Sequence, residues 1–290
     1  MHIIWVMRWI IQILGLLSLK HLQQLGSLLG LMTFWFSSKD RQLIKDNLAQ
    51  AQIAYAFKAN PVKIAQASGT MLAESLWIWN HPQDCLKLTE VLDWQVVDQA
   101  MAEGKGLLML TPHLGAFEMI PRVLAEHFCA TIIYKPAKQA WLNQVIEKGR
   151  SHPQMHFVPA NIQGVRQVAR ALQRGQAVGI LPDQVPGDGD GVWVPFGGKL
   201  AYTAVLPAKL ATKNQVPTII FSATRKKIGL GWTIRAMRIN KPFDADPSIA
   251  AEELNRAIEE VILKCPEQYL WGYNRYKQPA GAPPAPSVQS

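Results

Sequence analysis

The stretch Gly106–Pro136, GLLMLTPHLGAFEMIPRVLAEHFCATIIYKP, decides how this chain is read. "GLLMLT" is a short, continuous apolar run bounded by glycine and proline, as expected of a strand buried on both faces. "ATIIYKP" repeats that texture. Between them "GAFEMIPRVLAEHF" reads as a helix that Pro121 must kink or start late. Outward from this core the same alternation continues. "WQVVDQAMAEGKG" and "AWLNQVIEKGR" are helices, and "IQGVRQVARALQRG" is a helix with Ile162, Val165, Val168 and Leu172 on one face, ended by Gly175. "AVGILPDQ" and "VWVPFG" are strands joined through the turn "GDGDG". "TAVLPAKLATKN", "VPTIIFSATRK", "GWTIRAMRI" and the helix "AEELNRAIEEVILKCP" complete the run. The pattern predicts an α/β fold with a mixed, largely parallel central sheet flanked by helices.

This domain is expected over residues 39–277, with a helical lead-in over 39–93 in which Asn60 caps a helix opened by Pro61. Residues 278–290, "QPAGAPPAPSVQS" from Gln278, are Pro/Ala-rich and expected to be disordered. Residues 1–38 are hydrophobic and predicted to be helical. Arg8 and Lys20-His21 interrupt them, so their uncharged runs fall short of the ~20 residues a regular spanning helix needs. No small-residue cleavage site follows a short apolar core, which argues against a signal peptide. Two readings stand: helices lying in a membrane interface, or core helices. The first is preferred because Trp5, Trp9 and Trp35 occur with basic residues, a combination suited to the headgroup region.

Composition alone leaves several classes of partner open. Apolar residues make up 49% of the 290 residues and charged ones 18%, and the net charge is +9. Such a surface suits anionic lipid, nucleic acid or an acidic protein. Cys85, Cys129 and Cys265 form no CxxC pair, which argues against a disulfide framework or a zinc site.

Ligand and catalytic sites in open α/β sheets gather at the carboxyl ends of strands, and His113 follows such an end. Pro112 holds Thr111 extended, so a helix can begin only after the histidine. Along one helix His113 and Glu118 would point ~140° apart. They meet only if His113 lies in the turn, which Gly115 permits. A carboxylate on one imidazole nitrogen fixes the tautomer and makes the other nitrogen a base able to activate an alcohol; the alternative is a capping histidine and a solvated glutamate. Asp183 ends another strand at the same edge. Arg150 either balances its helix dipole or reaches the site. Arg166, Arg170 and Arg174 form a stripe that is either a solvated face or a phosphate or acidic-protein contact.

Rival chemistries lack anchors. GxSxG, GxxxxGK[ST] and a strand-following GxGxxG are absent. Asp183, Asp188 and Asp190 lack the spacing and closing glutamate of an EF-hand, so no metal is expected. No nucleic-acid reader motif accompanies the basic residues.

Five blocks occur in order: "TPHLGAFEM", "IYKPAKQAWLNQVIEKGR", "GVRQVARALQRGQAVGILPDQVP", "GVWVPFGGKLAYTA" and "YLWGYNRYK". Together they resemble the bacterial lipid A biosynthesis (late lauroyl/myristoyl) acyltransferases, within the HxxxxD/E glycerolipid-acyltransferase-like superfamily. The resemblance implies O-acyl transfer from an acyl carrier protein thioester to a hydroxyl of a lipid A precursor, at the cytoplasmic face of the bacterial inner membrane. No cofactor is implied beyond the phosphopantetheine thioester as co-substrate. It implies His113 as general base and Glu118 as its orienting partner, and Arg150 and Asp183 match other polar positions of the family's site; Gln184, Arg166 and Arg170 are further residues expected to meet substrate. Neighbouring possibilities are acylation of another glycolipid or a lysophospholipid, or a non-enzymatic membrane-surface protein. The flanks Pro112 and Phe117, and Tyr273-Asn274 near the C-terminus, depart from the residues frequent in that family.

Overall fold

The computed structural model describes residue 11, residues 13–187 and residues 189–286. Trp5, Trp9, Arg8 and Asp188 lie outside the described residues. The first elements with described bounds are helices α1 (Leu19–Phe36), α2 (Ser38–Tyr55), α3 (Pro61–Asn80) and α4 (Pro82–Lys87). Asn60 caps α3, its side chain accepting from the Val62 N–H, with Pro61 in the first turn. Then strands and helices alternate: β1 (Thr89–Leu92), α5 (Gln95–Ala102), β2 (Leu107–Leu110), α6 (Met119–Ala125), β3 (Ala130–Tyr134), α7 (Ala140–Arg150), β4 (Met155–Pro159), α8 (Ile162–Gln173) and β5 (Ala177–Ile180). A ribbon of β6 (Gly191–Phe196) and β7 (Lys199–Ala204), helix α9 (Leu206–Asn214), the hairpin β8 (Thr218–Arg225) and β9 (Trp232–Ile239), and α10 (Pro247–Leu263) follow.

Seven strands form one sheet in the order β1-β9-β8-β2-β5-β3-β4. Every pairing in it is parallel except β8 with β9. The mixed, largely parallel sheet is therefore present. β6 and β7 pair separately and antiparallel. All four residues of β2 are buried because the sheet is covered on both faces. Leu108 and Leu110 enter one hydrophobic cluster, with Val178, Ile180 and Ile133, and Leu107 and Met109 enter the other, with Ala177, Ile132 and Ile219.

Residues 19–36 are not a detached appendage. α1 packs on α3 through Gly26, Gly30 and Gly69, where the backbones nearly touch. A Cβ on Gly69 would lie 2.1 Å from the Gly26 carbonyl oxygen, and one on Gly30 would lie 2.1 Å from that of Ala65. A buried polar cluster locks the contact to the sheet: the Glu74 carboxylate accepts from Gln23 Nε2 at 2.8 Å, Arg225 Nε at 2.8 Å and Trp232 Nε1 at 3.0 Å. The opposite face of α1 exposes Leu28, Leu29, Met32, Trp35 and Phe36. Among the described residues no helix is long and apolar enough to cross a membrane.

Residues 278–286, the described part of the tail, form no helix or strand but touch the body of the domain. Trp193 Nε1 donates to the Pro283 carbonyl at 2.8 Å, and Ala282 is buried against the cluster of Val185 and Tyr202.

Gly69→Leu should separate α1 from α3, because backbone carbonyls cannot yield as side-chain tips do. A loss of about 3 kcal/mol in chemical denaturation is expected, with Gly104→Leu at an open position producing a smaller loss.

Candidate active site

β2 and β5 are parallel and in register, with Leu110 opposite Ile180. Three residues past each partner the chains place His113 and Asp183 side by side. The Asp183 carboxylate takes the histidine at two points. Oδ1 lies 2.8 Å from His113 Nδ1, and Oδ2 accepts the His113 backbone N–H at 2.9 Å. With Nδ1–H donating, Nε2 is left as the acceptor. The Gln184 side-chain amide lies 3.2 Å from Nε2.

The turn that carries His113 is stitched from both sides. The Leu270 N–H donates to the His113 carbonyl at 3.1 Å, and the Gly115 N–H to that of Gln268 at 3.0 Å. Ala116 N–H donates to Ala223 of β8 at 2.8 Å. Gly115 has φ +55°, and a Cβ there would meet the Ala223 carbonyl oxygen at 2.2 Å. No other residue type fits that turn without moving β8.

Glu118 is engaged elsewhere. Its carboxylate accepts from Arg150 Nε at 3.0 and 3.2 Å to its two oxygens, from Arg150 Nη2, and from Trp79 Nε1 at 3.0 Å. Glu118 was expected to orient His113; here its bonds go to Arg150 and Trp79, and the carboxylate hydrogen-bonded to His113 is that of Asp183. The reason is the chain reversal at Gly115, after which Glu118 enters the start of α6 and faces the ends of α3 and α7. Arg150 reaches the site as the last residue of α7, its guanidinium 5.7 Å from the Tyr134 ring centroid and 5.5 Å from that of Phe157.

Both carboxylates are buried, which alone raises their pKa. For Asp183 the His113 charge and hydrogen bonds outweigh burial and hold it below the ordinary value. For Glu118 the Arg150 charge, the Arg150 hydrogen bonds and the Trp79 indole do the same. Tyr269 stays a phenol, pushed well above the usual tyrosine range by burial first and the Asp183 charge second.

His113 and Gln184 line a cavity of about 1250 Å³, above the ~300–1,000 Å³ typical of small-molecule sites. Met109, Ile120, Leu124 and Ile132 form an apolar wall, and Lys135, Lys138, Arg166 and Lys209 add positive charge. Arg166 is thus brought to the site. Arg170, one turn further along α8, is exposed and is not among the cavity's walls. Ile162, expected on the buried face of α8, is 72% exposed and lines the cavity, because the first turn of α8 extends past the packed sheet edge. Trp79 and Tyr269 carried no signal in the sequence. Each comes from a distant segment and joins the site only by packing.

A family model described as "Bacterial lipid A biosynthesis acyltransferase" matches residues 1–278. The chain is 25% identical over 227 residues to a lipid A biosynthesis lauroyltransferase of Escherichia coli strain K12, covering 77% of this chain and 73% of that one. It is 24% identical over 265 residues to a lipid A biosynthesis palmitoleoyltransferase of the same organism, covering 89% and 85%. A lipid A biosynthesis acyltransferase of Haemophilus influenzae is 28% identical over 196 residues, covering 64% and 58%.

Two outcomes test the electrostatics. Arg150→Met leaves the Glu118 carboxylate buried without its cation and should cost about 3 kcal/mol or more in urea denaturation, largely restored by adding Glu118→Gln. Because the folded pKa of Glu118 is depressed, its stabilisation is complete above the unfolded value of about 4.3 and fades as pH falls through the folded one. The stability gap between wild type and Glu118→Gln should therefore be constant at neutral pH and narrow as pH falls below about 4.3.

Proposed function

This chain belongs to the bacterial lipid A biosynthesis acyltransferase family and is an acyltransferase, and from that premise we propose how its residues carry out the transfer. The donor is an acyl carrier protein thioester and the acceptor a hydroxyl of a lipid A precursor. His113 is the general base, Asp183 its orienting carboxylate. The observation that carries this reading is the His113 Nδ1–Asp183 contact of 2.8 Å, which turns Nε2 into an acceptor in the cavity wall.

The acceptor hydroxyl takes the place beside Nε2 where the Gln184 amide now lies. As its oxygen bonds to the thioester carbonyl carbon, its proton passes to Nε2, and Asp183 stabilises the imidazolium that forms. Collapse of the tetrahedral adduct breaks the carbon–sulfur bond, and the imidazolium returns the proton to the departing thiolate. The products are an ester and a free thiol, with no acyl-enzyme. Glu118 and Arg150 act through one another to hold the cavity wall.

The size of the cavity suits two long substrates, and its apolar wall suits acyl chains. The positive rim, with Arg166, suits an acceptor bearing phosphate and an acidic carrier protein. The apolar outer face of α1 supports work at a membrane surface, which we place at the cytoplasmic face of the inner membrane.

His113→Ala should lower transfer by about 10²–10⁴-fold while the thermal transition persists. Asp183→Asn should lower kcat more than it raises KM, since the tautomer is misplaced and the cavity is unchanged. Both are read by mass spectrometry of a lipid A precursor incubated with acyl carrier protein thioester. Wild-type rates in His113→Ala contradict the reading.

A further inference from the structure

β8 does not stop at the active-site edge. Ala223 pairs with the His113 turn, the strand runs on to Arg225, and the chain then reverses through Lys226–Gly231. Lys226 N–H donates to the Gly231 carbonyl at 2.9 Å and Leu230 N–H to that of Lys227 at 3.0 Å. Gly229 and Gly231, at φ +82° and +80°, make the reversal possible. The tip exposes Ile228 by 43% and Leu230 by 59%, with Lys226 and Lys227 exposed beside them. Aliphatic side chains held in water at a hairpin tip are unfavourable unless something covers them.

The tip is held rigidly. Its root is the buried Glu74 cluster with Arg225 and Trp232, which the proposed reaction does not use. Gly229 N–H donates to Gln23 Oε1 at 2.7 Å, so the same glutamine that binds Glu74 also holds the tip. A Cβ on Gly229 would lie 3.0 Å from Lys20 Cβ, which sets the tip against the first turn of α1. Lys20 and Lys227 make no ion pair among the described residues, whereas Lys226 pairs with Glu90 at 3.2 Å.

We propose that the β8–β9 hairpin tip, with Lys20, is a second contact with an anionic lipid bilayer, fixed to the first turns of α1, whose later turns carry the exposed apolar face. This rests on the membrane-surface reading given above. Lysines interleaved with aliphatic side chains match a headgroup region above acyl chains. Bases would need aromatic platforms, which the tip lacks. A molecule held to a bilayer by one interfacial helix can roll as a whole about that helix's axis. A second contact fixed to it through Gln23 and Glu74 removes that freedom, and it projects from the sheet edge that carries His113, so the cavity is turned toward the lipid.

The test is sedimentation of the full chain with vesicles of phosphatidylethanolamine and phosphatidylglycerol, against phosphatidylcholine alone. Lys227→Glu, Ile228→Ser and Leu230→Ser together should weaken binding to the anionic vesicles about tenfold with an unchanged melting curve. Lys227→Glu alone should weaken it several-fold on anionic vesicles and not on neutral ones. Lys213→Glu on α9, which carries the same charge change, should shift it less than about twofold. Binding that survives the triple substitution overturns the role of the hairpin alone. A wild-type chain that sediments with neither vesicle overturns the membrane-surface reading with it.

Discussion

The in-register parallel pairing of β2 with β5 is the constraint on which the site depends. Parallel neighbours ending at the same level deliver their next residues to one edge, and here each chain places a polar side chain three residues beyond the last pair. Asp183 then binds both the ring and the backbone N–H of His113. A carboxylate attached at two points cannot swing without breaking both bonds, so the imidazole tautomer is set by the backbone geometry of the sheet. The bridges from the turn to Ala223 and Gln268 remove the remaining slack.

The second carboxylate pair has a different task. Glu118, Arg150 and Trp79 join the start of α6 to the ends of α7 and α3. Buried charge is tolerated there because the guanidinium meets both carboxylate oxygens and the indole supplies a further donor. Two buried carboxylates thus sit within one edge, one bonded to an imidazole and the other to a guanidinium. Their partners, rather than their distance along the chain from His113, separate their roles.

The helical lead-in belongs to the same construction. The glycine contact of α1 with α3 brings backbones together, and Glu74 carries that contact through to β8 and β9. The exposed apolar face of α1 and the sheet edge that carries His113 are therefore parts of one arrangement. Gly26 and Gly30 on the inner face of α1 allow the close approach to α3, while its outer face exposes large apolar residues.

Much of the fold was legible in the sequence because central strands are buried on both faces and leave unbroken apolar runs. β2, β3 and β5 announce themselves in this way. β1 and β4, the two edges of the sheet, do not: each pairs on one side only, and Glu90 and His156 are exposed. The sequence also determined that His113 lies in a turn past a strand end, since Pro112 and Gly115 allow little else. Only the tertiary structure decided which carboxylate that histidine binds. The nearer residue in the chain, Glu118, lost to one seventy positions away, because strand register sets distances across a sheet and sequence separation does not.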